Sequence, residues 1–278
     1  MRKSWITLGA LLAGVIALGL FVWLKPPKPQ TATYALSSLK STDARSVRVL
    51  RKGKVLAALE KRNGEWAMSE PMKAPAESFQ VLRLLAILEA KSPLQYPASA
   101  SAKFELETPA SEIIINEQRF AFGAINSVTR EQYVLTQNQI YPLNAHVGAA
   151  IPADAAALLR RSVFAPSDAP VRFEFAAFNV ATDDKKWSAT PPTNDISQDD
   201  YNRWVAQWRE GSGLRAEIAD KRKAISEIHV TLKSGEKIVL GVLQSEPEFI
   251  VRRDDLNLQF VFTGDIGKQM LTPPGTRK

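Results

Sequence analysis

The side chains best suited to chemistry are few and scattered in this sequence of 278 residues. It has two histidines, His146 and His229, and no cysteine. A structural zinc site needs about four nitrogen or sulfur ligands and a catalytic one about three, so no metal site is expected. Without cysteine there is no disulfide, no thiol nucleophile and no lipidated-cysteine anchor. No G-x-S-x-G elbow frames a serine, and Gly211-Ser212-Gly213 lacks the spacing and following lysine of a phosphate cradle. Three acidic pairs remain, Asp183-Asp184, Asp199-Asp200 and Asp254-Asp255. Adjacent carboxylates on a strand face opposite ways, and no EF-hand pattern surrounds these. The first and third read as turn residues, and the second as a helix first turn, where negative charge is favoured. The expectation is no catalytic residue, no cofactor and no metal.

The elements that would position such residues begin with an apolar run, Trp5 to Leu24, free of ionisable side chains. Twenty residues at helical rise reach roughly 30 Å, the thickness of a bilayer's hydrocarbon core. Arg2 and Lys3 precede the run, and Trp5 and Trp23 stand near its ends, as at a lipid interface. The reading is a membrane anchor over 1–25. It implies an inner-membrane, single-pass protein with its C-terminal domain facing the periplasm. Ala10, Gly14 and Ala17 put small residues along one side, the pattern of a packed homodimer. Arg2, Lys3, Lys25 and Lys28 supply four of the net charge of +7, leaving +3 with both signs interspersed. That balance argues against nucleic acid as a partner.

Residues 26–45 are rich in Pro, Ser and Thr and read as an extended stalk. The body that follows is written twice. Trp66 and Pro71 (WAMSEP) share their spacing with Trp187 and Pro192 (WSATPP). Ser111-Glu112-Ile113 returns as Ser226-Glu227-Ile228, and the two segments end at Gly123 and Gly241. In the first unit, Lys52-Gly53-Lys54 and Asn63-Gly64 read as hairpin turns. Phe79, Leu82, Leu85 and Ala86 recur at helical spacing, while Val81, Leu84 and Leu88 widen the apolar surface. In the second unit, Ser197 and Asp200 form a capping box ahead of Tyr201, Trp204, Val205 and Trp208 on one core-facing stripe. The expected fold class is α+β: an N-terminal transmembrane helix, then two related modules of mainly antiparallel sheet plus helix. The modules cover 46–151 and 171–272, joined by a linker helix within 152–170 and followed by a short tail over 273–278.

A glycine two residues before Trp66, then Pro71, the helix Phe79 to Leu88, Gly123, Tyr133-Val134 and Ile140-Tyr141 make up a recognisable arrangement. It resembles an uncharacterised bacterial envelope family, a domain of unknown function found near gliding-motility-type ABC transporter auxiliary proteins. The resemblance covers most of 47–151, with a fainter echo to about residue 271. It implies a tethered extracytoplasmic protein that assists an export or envelope-organising complex, and it brings no catalytic residues. The expected function is a binding or scaffold protein with an envelope partner, and Phe79, Leu82 and Leu85 form the candidate partner surface. Two alternatives are a glycan hydrolase or transferase whose carboxylates are brought together by the fold, and a lipid or small-ligand binding module.

Overall fold

The computed structural model describes residues 14–15, 19–20, 32–183, 186–192 and 196–275. The strands of the first half are β1 (Tyr34–Ala35), β2 (Ser46–Arg51), β3 (Lys54–Arg62), β4 (Glu65–Glu70), β5 (Ala74–Pro75), β6 (Lys91–Ser92), β7 (Tyr96–Pro97), β8 (Ser111–Ile115), β9 (Gln118–Ile125), β10 (Glu131–Thr136) and β11 (Gln139–Asn144). Helix α1 (Ser78–Leu85) lies between β5 and β6. The second half has β12 (Pro170–Glu174), β13 (Asn179–Asp183), β14 (Lys186–Thr190), β15 (Arg215–Ile218), β16 (Ser226–Leu232), β17 (Lys237–Gln244), β18 (Glu248–Arg253) and β19 (Leu258–Thr263). Helix α2 (Gln198–Glu210) precedes β15, and α3 (Gly264–Leu271) follows β19.

Apart from the small β1–β6 pair, the strands form two sheets, ordered β5-β4-β3-β2-β8-β9-β10-β11-β7 and β14-β13-β12-β16-β17-β18-β19-β15. With β5 set aside, the two orders are the same, strand for strand. Their registers agree as well. Val47 pairs with Leu59 and Ile115, and Phe173 pairs with Val180 and Val230. The Ser-Glu-Ile repeat is therefore a repeat of position in the sheet. Register corrects two details of its reading. A bulge at Ser69 lets Glu70 face Ala58 as Thr190 faces Asn179, so Pro71 corresponds to Pro191 and not to Pro192. Gly241 faces Glu227 where Ala121 faces Glu112, so Gly123 and Gly241 are not equivalent.

Alternation along the strands explains the core. Val47 and Val49 are fully buried beside exposed Arg48, and Ile228 and Val230 flank exposed His229. One contiguous buried cluster takes in the inner faces of both sheets, α1 and α2. The connecting segment is sewn into both halves. Leu159 bridges Ala76, the Arg160 N–H donates to Pro75 O, and the Gly213 N–H donates to Arg161 O. Arg253, 4 % exposed, donates from Nη1 to Val163 O, clamps Asp255 through Nε and Nη2, and lies 3.7 Å from Asp168.

Three expectations need correction. The fold is mainly antiparallel β-sheet, and among the described residues no helix is long and apolar enough to cross a membrane. The longest described helix, α2, has 13 residues against the roughly 20 a bilayer requires. This overturns the fold class with a transmembrane helix; Trp5 and Leu24, its expected ends, lie outside the described residues. The stalk over 26–45 is not free-standing from Tyr34 onward, where β1 pairs with β6. Leu36 and Ala44 are fully buried, and the Gln118 amide donates to Leu36 O while accepting from the Ser37 hydroxyl. The linker forms only a 3₁₀ turn, Ala155–Leu158, capped by Asp154. Leu158, Leu159, Val163 and Phe164 are all buried. They are apolar neighbours that an extended strap can bury in two halves and a single helix face cannot.

Candidate interaction surface

The residues singled out for chemistry do not converge. His146 is exposed after β11, and exposed His229 lies 3.8 Å from Glu227, with Glu174 and Val239 opposite it in the sheet. Asp183 ends β13, and Asp184 lies outside the described residues. Asp200 completes the capping box with Ser197 at the start of α2. Asp254 and Asp255 are each paired with an arginine, Arg252 and Arg253. Gly211 ends α2, and Ser212 bridges Ser162 of the connecting strap. Among the described residues no group of three His, Asp or Glu side chains is placed to hold a metal ion.

Two carboxylates that sequence analysis did not single out share one cation. Arg215 pairs with Glu217 at 2.5 Å and with Glu248 at 2.8 Å. Hydrogen bonds from Arg215 hold both carboxyls below their ordinary pKa, Glu217 with further help from Gln259. A glycosidase needs one carboxyl pushed the other way, to remain protonated as a general acid. Arg215 and Glu248 stand 33 residues apart in the chain, on strands that only the sheet brings together, so local sequence carries no signal of the pairing.

The expected partner surface splits into two faces. Leu85 is 1 % exposed and packs in the core with Val81, Leu84 and Leu88, which corrects its place on that surface. Phe79 and Leu82 lie on the opposite face, 63 % and 55 % exposed. Helix α2 supplies an internal comparison. Tyr201, Trp204, Val205 and Trp208 are buried in the spacing of Val81, Leu84, Leu85 and Leu88. That match puts exposed Asp199 and Asn202 where α1 carries Phe79 and Leu82. The fold therefore tolerates polar side chains at these positions, and the apolar pair on α1 is not required by helix packing. Phe79 and Leu82 are neighbours one turn apart, and it is adjoining apolar side chains in water, not singly scattered ones, that mark surfaces meeting another molecule.

The family described as Domain of unknown function (DUF4340) matches residues 66–215, more than half of the chain. The chain belongs to this family. Its match runs from β4 in the first sheet to β15 in the second, taking in α1, the strap and α2. It begins later than the 47–151 span that carries most of the resemblance and runs on into the fainter echo that reaches about residue 271. Nothing in the match links the chain to gliding-motility ABC transporters. No curated protein matches the chain, and no solved structure does.

Proposed function

We propose that this protein is a non-catalytic binding or scaffold protein that docks a protein partner on the exposed face of α1. The observation that carries the reading is the contrast between Phe79 and Leu82 on α1 and Asp199 and Asn202 at the same positions of α2. Further support comes from the dispersal of the histidines and acidic pairs, and from Arg215, which holds the carboxyls of Glu217 and Glu248 below their ordinary pKa. The partner belongs, on this reading, to an envelope complex; that part rests on the sequence resemblance alone. Affinity purification of the full chain from its native host tests the idea. The wild type should recover a stoichiometric partner that Phe79→Asp/Leu82→Asn fails to retain. Recovery of the same partner by both proteins refutes the docking face.

A further inference from the structure

The two sheets also differ on their outer faces, and register shows where. In the first, the crossover from β7 to β8 lays Phe104 and Leu106 over Ala121 and Ile140. Tyr96, Tyr133 and Leu135 close around them, with Phe104 and Tyr133 ring centroids 4.0 Å apart. Gly123 permits this approach, since a Cβ there would lie 2.1 Å from Phe104 O. In the second sheet the equivalent crossover, residues 219–225, passes over Gly241, where the first has Ala121. Arg252 takes the register position of Leu135, Gln259 that of Ile140, and Glu217 that of Tyr96. An aromatic plug in one copy is thus a polar network in the other. A cleft of about 490 Å³ opens there, lined by residues 219–224, Glu227, Arg252 and Asp254 among others.

The charges of this cleft leave a specific remainder. Arg222 is paired with Asp220 at 2.6 Å. Arg252 Nε lies 2.6 Å from Asp254 Oδ1, too bent for a hydrogen bond at that atom. Arg252 Nη1 donates to the carbonyls of Asp220 and Arg222 at 3.3 and 2.7 Å, which pins the crossover backbone. The rim carboxylate Glu227 has His229 beside it. Lys221 and Lys223 are exposed and have no carboxylate within ion-pair distance among the described residues. Two compact ammonium groups on one fixed loop suit a phosphate, which offers up to two charges and several acceptor oxygens. A carboxylate offers a single charge.

We infer that the cleft beneath residues 219–225 binds a phosphate group, borne either by a soluble ligand or by a lipid headgroup. This goes beyond the docking role and stands without it, since α1 takes no part. The full chain is titrated with inorganic phosphate by calorimetry, and separately sedimented with phosphatidylglycerol vesicles against phosphatidylcholine vesicles. At least one probe should bind, and Lys221→Gln/Lys223→Gln should weaken it about tenfold or more. Lys237→Gln, an exposed lysine at the other end of β17, should leave it unchanged. Phosphate binding alone identifies a soluble ligand, and phosphatidylglycerol binding alone a headgroup; either supports the site. Failure of both probes with the wild type overturns it, as does equal binding by the double variant. Both lysines are exposed, so an unchanged thermal midpoint separates lost binding from lost folding.

Discussion

Exchanging Phe79 for Asp and Leu82 for Asn gives α1 the surface that α2 carries at the matching positions. Full burial of a Phe or Leu side chain stabilises by about 1.5–3 kcal/mol. With 63 % and 55 % of these residues already in water, somewhat under half of that is at stake in each. The first turn of α1 has no acidic residue, and Glu77 makes no side-chain cap. An Asp at 79 therefore gains roughly 0.3–1 kcal/mol from the helix N-terminus. Asn for Leu costs a few tenths of a kcal/mol in helix propensity. The net loss should be about 1–2 kcal/mol, whereas Leu85→Ala, one turn on and 1 % exposed, should lose about 2–5 kcal/mol. Urea denaturation followed by tryptophan fluorescence measures both. A double variant as damaged as Leu85→Ala would mean that Phe79 and Leu82 serve the core, and the argument for a docking face would fall with it.

Three further outcomes follow from the packing and the ion pairs. Gly123→Ala should lower the urea midpoint by the equivalent of about 1–3 kcal/mol, because its Cβ collides with Phe104 O. Gly241→Ala, whose Cβ meets Ala224 Cβ at 3.3 Å, should lose clearly less; equal losses would refute the crossover argument. Arg253→Met should cost about 2–4 kcal/mol in chemical denaturation, since it leaves the Val163 carbonyl without its buried donor and removes the cation that lies 3.7 Å from Asp168. A change below about 1 kcal/mol would show that the strap does not depend on this arginine. Glu217 and Glu248 have folded pKa values below the usual 4.5. The stability they contribute is present above that value and lost as pH falls through it toward the folded value. Unfolding midpoints should thus drop below about pH 4.5, and Arg215→Gln should flatten that acid limb. An unchanged pH profile would count against the Arg215 pairing.

What the sequence revealed follows from which features are periodic or local. The Ser-Glu-Ile repeat, the paired tryptophans and the Ser197–Asp200 capping box are short-range signals, and each appears in the structure as strand position or helix cap. The two faces of α1 were not separable, since Phe79-Leu82-Leu85 and Val81-Leu84-Leu88 are both helical stripes and only tertiary packing chooses between them. The connecting strap misled through composition. Alanine-rich 153–163 favours a helix, but burying Leu158, Leu159, Val163 and Phe164 against two halves outweighs propensity. Single buried residues such as Leu36 and Ala44 carry no period, so the docked part of the stalk was invisible. The bulge at Ser69 shifted the proline match by one. The Arg252 cleft was hidden because its residues come from separate strands and a crossover. Only the register between copies exposes it.

The edge of the second sheet has one further consequence. At Trp66 the outward carbonyl accepts from the Ala76 N–H, and β5 continues the sheet. At Trp187 no added strand does this among the described residues; the Gln198 side chain accepts from the Trp187 N–H and donates to its carbonyl, at 2.9 and 2.8 Å. One amide imitates a neighbouring strand and closes the point where another chain would begin to zip on. Self-association by strand addition is thereby discouraged at that border, and a side chain as small as alanine there would remove the stopper and leave the Trp187 amide and carbonyl open to another strand.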